Sequence, residues 1–274
     1  MPELPEAETI VRGLADRLPG RTIVRVVVTH ADVLAPPLTA ATLRKRLRGI
    51  AIEAVERRAK KVVLATKGGG RIVVNLGMTG RLVLSGSPRA RELSHVAVRF
   101  QLDDGQALLF DDVRRFGRIE LHDAGSWNER DAALGTEPLS DAFTAAHLHE
   151  LAQRSRTPIR NWLLDQRRVA GIGNIYANEA LFRAGIDPAR PASSLTIAES
   201  SGLRDALRDV LAEAIVARGT TLSDYRDEQG EVGRFASRLQ VYGRAGQPCI
   251  VCEHPIERAV LTNRSIFFCG SCQR

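Results

Sequence analysis

The first hydrophobic pattern in the chain is helical. Ile10, Val11, Leu14 and Leu18 fall on one face, and Gly20 closes the run. From Thr22 the period shortens to two. TIVRVVVTH (Thr22 to His30) reads as a strand, and TAATLRKRLRG (Thr39 to Gly49) as a short helix or turn. KVVLATK, RIVVNL, RLVLS, HVAVRFQL, ALLF and RIELH then follow as closely spaced strands. Val96, Val98, Phe100 and Leu102 alternate strictly, as on a half-buried strand, and Asp103-Asp104-Gly105 marks a hairpin turn. The first part is therefore a sheet-rich sandwich or barrel opened by one helix.

The pattern changes after Asp123. A polar stretch through Pro138 reads as a linker, so residues 1–123 are expected as one domain and 124–140 as the connection. Helical spacing follows in AAHLHELAQ and PIRNWLLDQ, breaks at GIGN, and resumes in NIYANEALFRAG. Thr196 with Glu199 three residues on is a capping-box start for the longest helix. Leu203, Leu207, Val210, Leu211 and Ile215 line one side of it before Gly219. Residues 141–240 form a helical domain on this reading, and 241–274 a short, strand-like, cysteine-bearing tail.

Charge narrows the partner class. The formal net charge is +7, which favours a polyanion, nucleic acid first, although a basic protein with no such role has the same balance. Lysine occurs only at Lys45, Lys60, Lys61 and Lys67, so in a chain that otherwise uses arginine the adjacent pair Lys60-Lys61 stands out. No stretch has the apolar length of a membrane span, and MPELPEAET has neither the basic nor the apolar part of a signal peptide. A cytoplasmic protein is expected.

The most specific motif is Cys249-x-x-Cys252 followed by Cys269-x-x-Cys272, with sixteen residues between the inner pair. Four thiolates at this spacing suit one structural zinc; two reduced or redox CxxC pairs are the alternative. Arg258 and Arg264 lie between the pairs. At the other end, removal of Met1 would leave Pro2 with a free secondary amine. Such an amine, partly neutral at pH 7, can attack an aldehyde-level carbon, with Glu3 and Glu6 as acid and base. The plainer reading is an acidic helix start, where Glu3, Glu6 and Glu8 favour the helix dipole. GIGN (Gly171 to Asn174) is either a phosphate-binding helix start or an ordinary helix–helix turn. Met78 in LGMTG, and Arg114 and Phe116 in DDVRRFG, are either core or wedges that enter a base stack.

Taken together these segments resemble formamidopyrimidine-DNA glycosylase over essentially the whole chain. The matching pieces are PELPE, RRAK (Arg57 to Lys60), LGMTG, RRFG, GIGNIYANEALF, GTTL, QVYGR and the four-cysteine tail. The resemblance implies an α+β fold: an N-terminal β-sandwich flanked by helices, then a helical domain with a helix–two-turns–helix motif and a C-terminal β-hairpin zinc finger. It implies double-stranded DNA carrying oxidised purines or abasic sites as the partner, one zinc, and a monomer. Pro2 would be the nucleophile, Glu3 the acid at the sugar ring oxygen, and Glu6 a support through water. Lys60 would act in sugar and phosphate chemistry and Arg264 on the phosphates. Met78, Arg114 and Phe116 would fill the void opposite the flipped nucleotide. His95, Asn174 and Tyr242 would hold the backbone at the lesion, with Arg156 and Arg160 as further phosphate contacts. The segment from Thr220 to Arg234 would cover the flipped purine.

Some positions depart from the family pattern. Ala7 stands where valine is common, a packing change. Val113 replaces a proline, which removes a rigid ring from that loop. Lys61 replaces an aromatic residue, and its charge is expected to lower the pKa of Lys60. Ser94 precedes His95 where aspartate is common, leaving the partner of that histidine open. The sister endonuclease VIII-type enzyme for oxidised pyrimidines, and a zinc-finger lesion-binding protein without chemistry, are the competing readings. PELPE and the Met78, Arg114, Phe116 set favour the purine enzyme over the first. Pro2, Glu3 and Lys60 argue against the second.

Overall fold

The computed structural model describes residues 2–88, 90–222 and 225–274. Its contacts divide the chain into two units, Met1–Ala132 with Ala217–Arg234, and Ala133–Val216 with Phe235–Arg274. The helical part is thus not contiguous through residue 240: the stretch after the longest helix returns to the first unit before the chain re-enters the second.

The first unit runs α1 (Leu4–Ala15), β1 (Thr22–Val28), α2 (Ala40–Leu47), β2 (Ile50–Arg58), β3 (Lys61–Thr66), β4 (Gly70–Asn75), β5 (Gly80–Leu84), β6 (Val96–Leu102), β7 (Ala107–Asp112), β8 (Arg118–His122) and α3 (Ala124–Ala132). The strands pair antiparallel in the order β5-β7-β6-β1-β2-β3-β4-β8. β1 and β2 share only two rungs, Thr22–Ala51 and Ile23–Ile50, so the ladder turns a corner there into two four-stranded layers. One apolar core joins them, with Val26, Phe100 and Phe110 from one layer and Val62, Leu64, Ile72 and Val74 from the other. Ile10, Val11, Leu14 and Leu18 belong to the same core, so the predicted amphipathic face is the buried one.

Each strand predicted from alternation is present. β2 is not legible that way, because IAIEAVERR carries alanine and glutamate that suit a helix. It is a strand because it pairs with β3 from Ile52–Thr66 to Arg58–Lys61, after its first two residues pair with β1. Inside the polar stretch read as a linker lies α3, nine residues with none buried.

The second unit holds α4 (Ala145–Gln153), α5 (Ile159–Leu164), α6 (Asn174–Arg183), α7 (Ile197–Val216) and a hairpin of β9 (Glu257–Leu261) and β10 (Arg264–Phe268). The capping box forms as read: Glu199 N–H donates to Thr196 Oγ1 at 3.1 Å, and Thr196 N–H to Glu199 Oε2 at 2.8 Å. Ala177, Ala180 and Leu181 of α6 and Leu203, Leu207, Val210 and Leu211 of α7 are buried. Truncating any of these leucines to alanine costs about 2–5 kcal/mol.

Candidate functional site

The proline–glutamate start forms a buried helix cap. Pro2 is buried, and Glu3 and Glu6 are 3% and 1% exposed. Glu3 N–H donates to Glu6 Oε2 at 2.7 Å, and Thr220 N–H donates to Glu6 Oε1 at 2.7 Å. Both carboxylate oxygens of Glu6 therefore grip backbone amides, one at the start of α1 and one on the returning 217–234 segment. Charge-assisted bonds of this kind are the strong ones. Tyr225 O–H donates to the Glu6 carbonyl at 3.4 Å, and burial together with the Glu6 charge pushes this phenol far up. Gly219 makes the approach possible. It sits at φ +84°, and a Cβ there would lie 2.8 Å from Glu6 Oε1. The predicted cover segment from Thr220 to Arg234 is part of this arrangement, except for Ser223 and Asp224, which lie outside the described residues.

Lys60 sits half-buried in the two-residue turn between β2 and β3. Ala59 beside it is held at φ +53°, a left-handed conformation that costs a non-glycine residue on the order of 1 kcal/mol. Three anchored cations hold the turn. Arg57 Nη1 donates to the Ala59 carbonyl at 2.9 Å, while its Nε donates to Glu8 Oε2 on α1 at 3.0 Å. Arg58 Nε pairs with Asp131 on α3. Lys61 Nζ donates to Glu120 Oε1 on β8 at 2.6 Å. Lys61, the charge expected to act on Lys60, is itself paired with Glu120. Burial lowers the pKa of Lys61 against the upward pull of that carboxylate.

Burial alone would raise the pKa of Glu120. Its bonds from Lys61, His122 and Arg130 outweigh that and hold the carboxyl at about 2. A carboxyl depressed on folding stabilises the native state above the ordinary carboxylate range, and the contribution fades as pH falls toward 2. Glu120→Gln is expected to lower unfolding free energy by about 2 kcal/mol at neutral pH, because Lys61 loses its counter-charge. Urea titrations at neutral pH and near pH 3 should show the difference between variant and parent shrinking in acid. An equal difference at both pH values rejects the pairing as the cause.

The structure brings Met78, Arg114 and Phe116 onto two adjoining loops. Thr79 Oγ1 donates to Asp112 Oδ1 at 2.5 Å, Gly117 N–H to Asp112 Oδ2 at 2.7 Å, and Arg114 N–H to Thr79 Oγ1 at 3.1 Å. A Cβ on Gly77 would come within 2.5 Å of Gly117 N, so the two loops touch backbone to backbone. Met78 is half-buried, Arg114 is exposed and Phe116 is 53% exposed. Arg114 Cζ stands 4.8 Å above the Phe116 ring. The buried Asp112 supplies the rigidity that the missing proline before Arg114 would otherwise bring. His95, exposed at the start of β6, finds its partner in the replacing residue: Ser94 Oγ lies 2.9 Å from His95 Nδ1.

In the second unit the predicted residues separate into exposed and internal ones. Arg156 is exposed. Arg160, expected as a phosphate contact, is 1% exposed and its guanidinium is engaged inside the protein. Its guanidinium donates to Asn174 Oδ1 through Nε at 3.1 Å and Nη2 at 2.5 Å, and to Asn161 Oδ1 through Nη1 at 2.8 Å. Asn174, the first residue of α6, in turn donates from Nδ2 to the Ser265 carbonyl on β10 at 3.0 Å. The pair therefore locks the GIGN helix start to the hairpin beside Arg264. Glu179, which periodicity alone did not single out, is fully buried and accepts three backbone N–H groups, from Gln240 at 2.8 Å, Val241 at 3.0 Å and Tyr242 at 2.8 Å. Burial raises its pKa against those bonds. A glutamate inside the apolar run YANEALF was its only sequence signal.

Arg264 is exposed at the first position of β10, after a two-residue turn of Thr262 (φ +48°) and Asn263 (φ +60°). It lines a groove of about 510 Å³ with Thr157, Arg160, Asn161 and Thr262. At the far end of the hairpin, Cys249, Cys252, Cys269 and Cys272 point their sulfurs at one another, all within 4.8 Å, and none is in a disulfide.

A β-sandwich opening on a proline–glutamate helix, a helical unit with GIGN at a helix start, and a four-cysteine hairpin define the helix–two-turns–helix class of DNA glycosylases. Residues 1–119 match the family model of the formamidopyrimidine-DNA glycosylase N-terminal domain, and residues 134–226 that of its helix–two-turns–helix domain. The chain is 45% identical over 274 residues to formamidopyrimidine-DNA glycosylase of Chloroflexus aggregans, covering all of this chain and 98% of the relative. It is 43% identical over 275 residues to that of Xanthomonas euvesicatoria, covering both chains fully. The crystal structure of the Thermus thermophilus protein superposes with TM-score 0.87 at 42% identity, covering 99% of this chain and 98% of that one. A mutant Lactococcus lactis protein in complex with DNA containing Fapy-dG superposes with TM-score 0.90 at 29% identity over the full length of both chains. The chain belongs to the formamidopyrimidine-DNA glycosylase family.

Proposed function

We propose that this chain is a bifunctional DNA glycosylase and abasic-site lyase of base excision repair that removes oxidised purines, 8-oxoguanine opposite cytosine and formamidopyrimidines. The observation that carries the reading is the loop pair that presents Met78, Arg114 and Phe116 together, held by Asp112. It suits an enzyme that flips a purine and fills the gap it leaves. Base release from duplexes containing 8-oxoguanine or thymine glycol tests the substrate class. Faster release of thymine glycol overturns it in favour of the endonuclease VIII-type activity.

The nitrogen of Pro2, freed by loss of Met1, attacks C1′ of the flipped nucleotide. The glycosidic bond breaks, and the base leaves with the bonding electrons and takes up a proton. Glu3 protonates the ring oxygen, the sugar opens, and an iminium links Pro2 to the chain. Loss of a C2′ proton then expels the 3′ phosphate, with Lys60 and Arg264 on the phosphates, and a second elimination releases the 5′ side. Glu6 serves by fixing Glu3 and Thr220 in place, since both its oxygens already bind amides. His95, Asn174, Tyr242 and Arg156 are the backbone contacts on this reading. Arg160 acts through Asn174.

Zinc is the metal we assign to the four cysteines. A tetrahedral zinc with sulfurs at about 2.3 Å sets them about 3.8 Å apart. The Cys249–Cys272 and Cys252–Cys269 sulfur pairs, at 3.9 and 3.4 Å, fit that cage. The ion would fix the base of the hairpin that carries Arg264. No helix among the described residues is long and apolar enough to cross a membrane. A monomeric, cytoplasmic enzyme accords with the reading.

Arg114 is expected to read the partner base. A guanidinium has only donors, so it satisfies the acceptor edge of an orphaned cytosine and not the amino group of adenine. A discriminating contact of this kind is worth roughly 1–3 kcal/mol, a tenfold to hundredfold preference. Arg114→Ala should lower single-turnover cleavage of the cytosine pair far more than of the adenine pair. An unchanged ratio between the two duplexes removes Arg114 from this role.

A further inference from the structure

In the first unit one strand edge is left without a partner strand among the described residues, beside three arginines. Gly49 N–H donates to the Ile23 carbonyl at 2.7 Å, and this is the last contact of its kind between β1 and the chain leading into β2. From Arg25 to Val28, β6 continues to hold one edge of β1, but no strand among the described residues pairs with the other. The ladder to β6 shifts register between Ile23 and Arg25, and Val24 at the shift is 42% exposed next to the exposed Arg25. A groove of about 440 Å³ follows this edge, lined by the four consecutive residues Val24, Arg25, Val26 and Val27 and, from the α2 side, by Arg44 and Arg48. Four consecutive residues of a strand can line one groove only if it runs along the strand's edge, because alternate side chains point to opposite faces.

Arg25, Arg44 and Arg48 make no ion pair among the described residues, whereas Arg12, Arg57, Arg58, Arg115 and Arg130 of the same unit each pair with a carboxylate. An open edge is normally blunted, since it templates another strand. Here the blunting is by cations above a floor of valines, which disfavours a neutral or basic strand and still admits an acidic one. We infer that the groove between β1 and α2 docks an extended acidic segment of a partner protein, which adds a strand to β1 while its carboxylates meet Arg25, Arg44 and Arg48. DNA fits less well: an open edge offers N–H and C=O groups in alternation, and phosphates can only accept. A peptide satisfies both. About 10 Å of edge is on offer from Val24 to Val27, enough for about four added residues.

The test uses the full chain and a labelled peptide of about eight residues in which valine and glutamate alternate. Anisotropy should report saturable binding that weakens about tenfold or more in the Arg44→Glu, Arg48→Glu double variant. Cleavage of a lesion duplex by that variant should be unchanged, which marks it as folded. With the unaltered protein, N-methylation of alternate peptide amides keeps every charge but removes the ladder donors, and should weaken binding to a similar degree. Absence of peptide binding, or binding indifferent to either change, overturns the proposal. So does a double variant that loses affinity for undamaged duplex as strongly as for the peptide, since the groove is then a DNA contact.

Discussion

Borohydride added during turnover of a duplex carrying 8-oxoguanine is expected to trap the protein on DNA, and a form that retains Met1 is expected to give no trapped species. An iminium requires an amine with a free lone pair. In the Met1-retaining form the Pro2 nitrogen is an amide, its lone pair lost to resonance. Once freed, an α-amino group with a pKa near 8 is neutral for on the order of a tenth of molecules at pH 7. Trapping should therefore grow between pH 6 and about pH 8 as the amine loses its proton. Pro2→Gly keeps a terminal amine but turns a secondary amine, which gives a permanently charged iminium, into a primary one, whose imine must first take up a proton, and should trap more weakly than the parent. The buried cap around Pro2 is set by Glu3, Glu6 and Thr220 and not by the ring, so the variant keeps its fold. Undiminished trapping with Met1 in place would assign the nucleophile to another amine, with Lys60 the first to examine.

Replacement of one cysteine should have the other large effect. Cys252→Ala leaves three sulfurs where a closed tetrahedral site needs four, and apparent zinc binding in such sites is worth about 10–16 kcal/mol. Asn174 and Asn178 of α6 hold β10 along its length, and a zinc at the base of the hairpin would add the hold that fixes its cysteine end. Zinc content should fall from one per chain toward none, and affinity for lesion DNA should fall with it by about tenfold or more. Arg264→Ala separates the two causes, because it should lose DNA affinity while keeping its zinc. A metal-free protein that binds DNA at full strength refutes the arrangement, and an Arg264→Ala variant that binds normally moves the contact elsewhere on the hairpin.

The periods of two and 3.6 in the chain were enough to place α1, seven of the eight sandwich strands and α7, because in each the apolar residues that repeat are those that reach the core. Cysteine spacing likewise determined the four-sulfur cluster, since two short CxxC turns joined by a hairpin have few ways to close. Short motifs at Pro2, Glu3, Met78, Arg114 and Phe116 left their roles open until the resemblance of the whole set to one family pattern made them candidates. What lay beyond it depends on partners distant in sequence. β2 is a strand because β3 pairs with it against its own composition. Arg160 reads as a surface cation and is a buried clamp because Asn174 and Asn161 converge on it in space. Glu179 matters because residues 240–242 bring three amides to it, and Glu6 because Thr220 returns from more than two hundred positions away. A local pattern records whether a side chain faces apolar or polar surroundings. Only the tertiary structure decides which buried amide a carboxylate will meet, because that partner arrives from another part of the chain.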